Sequence, residues 1–221
     1  CPFYYTYNEV DVTISELNTT VEFTATWTGP FEISADFDNA HWYNMTIRGT
    51  WYVTSDNVDG DGALKTVNAN AYGLATDAYQ WAFVGNGYDG FKVFNKDKGA
   101  DYAYAWTEAS NAHIPTFQAA ESANVWTIKP STASGYTDAF MLTIPSYGYQ
   151  VNQFGGAGGS LKVWNATGTT DAGSAFNVFD VPDDFSQYVT AEIAPYFDTT
   201  AKYFVLTDAA KAAVGYNESY K

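Results

Sequence analysis

The sequence predicts a mainly β fold built from three repeated units, and three observations carry that prediction. Aromatic anchors Trp81, Trp126 and Phe176 recur 45 and 50 residues apart, each inside an aromatic-x-apolar core. A period in that range marks a fold assembled from supersecondary units that share one core. Each anchor closes a unit whose opening is repeated as well, in the aromatic and aliphatic runs 42–47, 90–95 and 139–144. The composition completes the case, with 18 Tyr, 15 Phe and 7 Trp among 221 residues. Gly, Asn and Thr fill the gaps between apolar runs, which favours many short strands joined by turns.

Taken in order, residues 1–33 read as a short β segment, either the end of a preceding module or a lead-in hairpin. Residues 9–14 and 20–27 alternate polar and apolar side chains, the period of a half-buried strand. Gly29-Pro30 then breaks the pattern. Residues 34–181 carry the three units, with strands expected at 43–48, 51–54, 80–84, 90–95, 125–129, 139–144, 149–152, 161–164 and 176–181. Turn residues at 59–62, 85–87 and 97–99 separate them. The run 155–159, four glycines and an alanine, is too glycine-rich for a simple hairpin and is expected to be mobile. Residues 182–221 change period. Pro182-Asp183-Asp184 suits a helix start, Phe185, Tyr188, Val189 and Ile193 follow helical spacing, and a second helix is expected from Thr207. This tail is expected to be a truncated helical module.

Charge and cysteine usage narrow the function classes. Twenty-five acidic residues against 10 basic ones give a net charge of −15, which disfavours nucleic acid and anionic membranes as partners. The single cysteine, Cys1, permits no intrachain disulfide. It has two readings, a lipidated terminus or a residue inside a longer protein. The second is preferred, because a strand-like run rather than a polar tether follows it. No apolar run is long enough to span a bilayer as a helix, so no membrane insertion is expected. Low lysine content and the scarcity of thiols lean towards a secreted or cell-surface location.

Three units that each close on a Gln-x-Trp-like or Trp-x-apolar motif resemble the ricin-type β-trefoil. The runs Tyr79-Gln80-Trp81-Ala82-Phe83-Val84-Gly85-Asn86 and Leu161-Lys162-Val163-Trp164-Asn165 are similar to trefoil domains of large secreted proteins of gut bacteria. Such domains commonly neighbour glycoside hydrolases or other carbohydrate-active modules. The resemblance therefore implies glycan binding, with neighbouring domains of the same chain as further partners. In lectin trefoils a buried Gln braces the loop that holds an Asp and an aromatic against the sugar. Here only Gln80 stands beside an anchor, shifted by one place, which implies that at most one or two of three possible sugar sites survive.

A sugar offers apolar C–H faces and a rim of hydroxyls, so its site needs an exposed aromatic beside Asp, Asn or Gln. The candidates are Tyr88 with Asp89, Tyr102 and Trp106 around Asp101, Trp164 with Asn165, and Tyr147 and Tyr149 with Asn152 and Gln153. Trp81 and Trp126 are read as core. Asn57, Asp59 and Asp61, with Gly62, match the first half of a calcium loop, but Asn68 stands where a bidentate Glu is required. A solvated acidic turn is the simpler reading, and no cofactor is expected beyond that calcium candidate. His41 and His113 are not in metal-ligand spacing, and no nucleophile elbow, P-loop or dinucleotide fingerprint is present. The expectation is a non-catalytic carbohydrate-binding module of a larger secreted protein. The rivals are a spacer without a sugar site and a trefoil protease inhibitor using residues 105–123.

Overall fold

Aromatic residues alternating with small or polar ones suit strands that bury one face, and here those strands close into a barrel. The computed structural model describes residues 4–7, 25–69, 73–107 and 113–181. In chain order the strands begin with β1 (Tyr5–Tyr7), β2 (Ala25–Trp27), β3 (Tyr43–Ile47) and β4 (Trp51–Tyr52). The second unit supplies β5 (Gln80–Asn86), β6 (Gly90–Asn95), β7 (Tyr102–Ala105) and β8 (Thr116–Ala119). The rest are β9 (Thr127–Pro130), β10 (Phe140–Thr143), β11 (Gln150–Phe154), β12 (Ser160–Trp164) and β13 (Phe176–Asp180).

Six of these form a closed circuit. β3 pairs with β13 and β5, β5 with β6, β9 with β10, and β10 with β13, all antiparallel. The last gap is closed by reciprocal backbone hydrogen bonds between Phe91 and Trp126, at 3.0 and 2.8 Å. Three hairpins complete the units: β7 with β8, β11 with β12, and β4 with the bridge from Tyr52 to Val67. A six-stranded barrel with three hairpins, repeated about a threefold axis, is a β-trefoil. No helix among the described residues is long and apolar enough to cross a membrane.

The repeat read from the sequence is the repeat of the barrel. Trp81, Trp126 and Phe176 are all fully buried, at matching ends of the strands that close each unit. Two of them carry an indole N–H that must be satisfied. Trp81 Nε1 donates to the Val53 carbonyl at 2.9 Å, and Trp126 Nε1 to the Tyr104 carbonyl at 2.7 Å. Phe176 needs no such acceptor.

The strands β7 and β8 were not expected. In Tyr102-Ala103-Tyr104-Ala105 the last three residues are all buried, Tyr104 in the main core and the two alanines on the opposite face. A small-residue strand carries little periodic signal, although it pairs with β6 as β4 pairs with β3. The glycine-rich run 155–159 also departs from expectation. It is the turn of the β11–β12 hairpin, with Phe154 opposite Ser160 and Gly159 N–H donating to the Gly156 carbonyl at 2.9 Å. Positive φ at Gly155, Gly156 and Gly158 explains the composition.

Phe31 enters the barrel core from the segment that follows β2. Its ring stacks on Phe83 at 3.8 Å between centroids and meets Phe140 and Phe91 edge-on. Trp27 Nε1 holds the Phe31 carbonyl at 2.7 Å, and Ser34 bridges to β5. The chain divides into two units, Cys1–Val181 and Pro182–Lys221. The expected strand at 9–14 and the helices expected after Pro182 lie outside the described residues.

Candidate functional site

In the β11–β12 hairpin, Gln150 stands opposite Trp164 and Asn152 opposite Lys162. Val151, Leu161 and Val163 enter the core. Strand alternation therefore puts Gln150, Asn152, Lys162 and Trp164 together on the other face. Trp164 ends its strand 39 % exposed, a large apolar plane left in water, and Asn165 beside it is also exposed.

Gln150, across from that indole, is fully buried, yet neither its amide nitrogen nor its amide oxygen has a partner. An unsatisfied buried amide costs about 1–3 kcal/mol per lost hydrogen bond, so such a group is unusual in a settled core. Two residues on, Asn152 donates to Asp171 Oδ2 and Ser174 Oγ, both at 3.0 Å. Asp171 Oδ1 accepts the Gly173 N–H at 2.6 Å and so caps the short 3-10 turn Ala172–Ser174. The turn is locked against the hairpin by side chains from both.

The other candidates are placed as follows. Trp106 is core: it is 7 % exposed and its Nε1 donates to the Val125 carbonyl at 3.0 Å. That corrects its reading as a sugar platform, because its indole is used to join β7 to the segment before β9. Tyr88 is 69 % exposed in the β5–β6 turn, whereas the Asp89 carboxylate accepts from Asn86 Nδ2 and holds that turn. Tyr88 lines a cleft of about 270 Å³ with Trp27, Ile128 and Lys129, and burial lowers the pKa of Lys129. Tyr102, 50 % exposed, lines a second cleft of about 380 Å³ with Asp101 and Glu121. Tyr147 and Tyr149 stack on one another at 5.3 Å in the β10–β11 turn. Gln153 turns away from the Trp164 face, its Nε2 donating to Thr66 Oγ1 at 2.5 Å.

The calcium candidate is occupied by its own loop. Asp59 Oδ1 accepts the Asp61 and Ala63 N–H groups at 2.9 and 3.0 Å, Asp61 pairs with Lys162, and Asn57 Nδ2 donates to the Lys65 carbonyl. Its hydrogen bond from Ser160 leads the interactions that hold the Asp59 carboxyl below the usual carboxylate range. Among the described residues, no group of three or more His, Cys, Asp or Glu side chains is placed to hold a metal ion.

Gln150 is a candidate that the sequence does not single out. Gln150 sits in a plain alternating strand, and only pairing opposite an exposed Trp distinguishes it. Gln80 does brace a loop as its position implied, donating to the Ala75 carbonyl while accepting from Lys96 Nζ.

No protein-family model matches this chain, and no curated protein matches it. Solved structures do. A mosquitocidal holotoxin aligns over 67 % of this chain at 11 % identity, with a TM-score of 0.49, and this chain spans only 18 % of its length. The Macrolepiota procera ricin B-like lectin, solved with lactose, aligns over 69 % of this chain and all of its own at 14 % identity and a TM-score of 0.47. The Rhizoctonia solani agglutinin aligns over 69 % of this chain and 99 % of its own at 10 % identity and a TM-score of 0.48.

Proposed function

We propose that this chain is a non-catalytic carbohydrate-binding module, and that its third unit holds the glycan. The observation that carries the reading is Trp164, exposed directly across from Gln150, whose amide is buried with no partner. An indole plane left in water accepts the C–H face of a pyranose, and the exposed Asn165 beside it is a polar residue of the kind that meets the hydroxyl rim. The module would belong to a larger secreted or surface bacterial protein, with a carbohydrate-active enzyme as the expected parent.

A glycan array of plant polysaccharides and host mucin sugars tests this with wild type and Trp164→Ala. Binding by wild type that falls about tenfold or more in the variant is expected, given the weight of an aromatic platform. If folded wild type binds no glycan, the spacer reading replaces this one. If binding survives intact in Trp164→Ala, the site moves to the cleft of Tyr102, Asp101 and Glu121.

A further inference from the structure

The cleft of about 270 Å³ beside the β5–β6 turn is walled by Trp27, Tyr88 and Ile128 and edged by Thr127, Lys129 and Gly148. Trp27 belongs to the segment before the three units, so this cleft is not one of three equivalent positions. Tyr88 stands in water on a turn whose backbone is fixed, because Asn86 Oδ1 accepts the Tyr88 and Asp89 N–H groups at 2.9 and 2.7 Å. Gly87 lets that turn lie against the indole, since a Cβ there would meet the Trp27 ring at 2.4 Å and the Tyr5 hydroxyl at 2.9 Å. Lys129 Nζ donates to the Thr167 carbonyl at 2.6 Å and makes no ion pair among the described residues. An ammonium has three donors, so others remain for a ligand. Aromatic walls beside such donors suit the apolar face and the hydroxyl rim of a sugar ring.

Thr167 ties this cleft to the third-unit site. It follows Trp164 by three residues, with the exposed Asn165 between them, so their backbones lie at most about 10 Å apart. Gly148, on the edge of the cleft, stands against Thr167, where an added Cβ would be 3.9 Å from Thr167 Cγ2. Tyr149, stacked on Tyr147, then leads into Gln150 opposite Trp164. We infer that the cleft is a second sugar subsite continuous with the Trp164 position, so that the module takes a linear oligosaccharide rather than a single terminal sugar. This rests on the glycan-binding reading above and names the ligand class for it. Trp27 and Tyr88 hold one ring, Trp164 holds another, and Lys129 and Asn165 meet the hydroxyl rims. The cleft lies at the low end of small-molecule pocket volumes, which suits one ring of a chain whose further rings lie along Thr167.

The test follows the indole N–H signals of the whole 221-residue chain by NMR during titration with cellotetraose, xylotetraose and N-acetylchitotetraose, and then with the methyl glycoside of each sugar. Trp27 and Trp164 give separate signals, each assigned by its Trp→Phe variant. A tetraose should move both signals with one affinity and bind about tenfold or more tighter than its methyl glycoside, because the second ring adds an aromatic contact within the same complex. Tyr88→Ala removes an exposed side chain, so the fold is kept. In that variant the tetraose should weaken about tenfold, while the methyl glycoside still moves the Trp164 signal as in wild type. A tetraose that moves Trp164 but not Trp27 would overturn the second subsite and leave the glycan-binding reading standing, as would unchanged tetraose affinity in Tyr88→Ala. Movement of Trp27 with Trp164 unmoved would overturn the continuous site and the Trp164 platform. No movement with any of these sugars would overturn both readings together.

Discussion

Tyr104 is a residue whose two ends have opposite surroundings. Its ring lies against Trp126 and Trp81 in the core, while its hydroxyl is buried with no partner. Burial pushes the phenol far above its ordinary range. The folded protein therefore holds Tyr104 neutral, and ionising it requires unfolding. The raised value means its contribution to stability is complete below pH 10 and is lost as pH rises above that. Removing the orphaned hydroxyl removes a desolvation cost. Tyr104→Phe should leave the protein as stable or stabilise it by about 1 kcal/mol, and should flatten the loss above pH 10. Urea unfolding at pH 7 and at pH 10.5 measures both effects.

At the scale of an element, the junction of β6 and β9, like that of β10 and β13, closes the barrel through a single residue pair. It rests on one bridge, Phe91 to Trp126, with glycine immediately before Phe91. Gly90 has φ 108, and a Cβ there would approach the Trp126 carbonyl and the Val125 side chain, both at 2.8 Å. Both the conformation and the space exclude a side chain. Gly90→Ala should destabilise by about 2 kcal/mol or more and should open this seam first. Hydrogen exchange at the Phe91 and Trp126 amides would report that opening, and unchanged protection there would refute the account. The β7–β8 hairpin beside it escaped sequence reasoning for a related reason. Ala103 and Ala105 are buried beside Phe94 while Tyr104 enters the main core from the other face, and alanine does not distinguish a buried strand from a loop.

For the whole molecule, barrel closure joins the first unit to the last through β3 and β13, so the fold depends on contacts distant in sequence. Chains of this kind fold in milliseconds to seconds rather than microseconds. The open end of the barrel is then filled from outside the repeat, by Phe31. Truncating a buried phenylalanine costs about 3–5 kcal/mol, and Phe31→Ala should cost within that range. A loss below about 1 kcal/mol in urea unfolding would mean that residues before 34 only rest on the barrel rather than completing it.

Period and composition alone determined the three units, their anchors and most of the barrel strands, because aromatic residues must be buried wherever they recur. Turn chemistry likewise located the loops, since glycine and asparagine are read directly from φ preferences. Function was visible only in part: Trp164 was a candidate, but so was Trp106. The difference between them is whether the indole N–H meets a neighbouring carbonyl, and partners 19 residues apart are set by the fold. Gln150 carried no signal, since an alternating strand is ordinary in a sequence. Tertiary structure alone left the Gln150 amide and the Tyr104 hydroxyl among the groups without partners, because only packing decides which polar groups find one another.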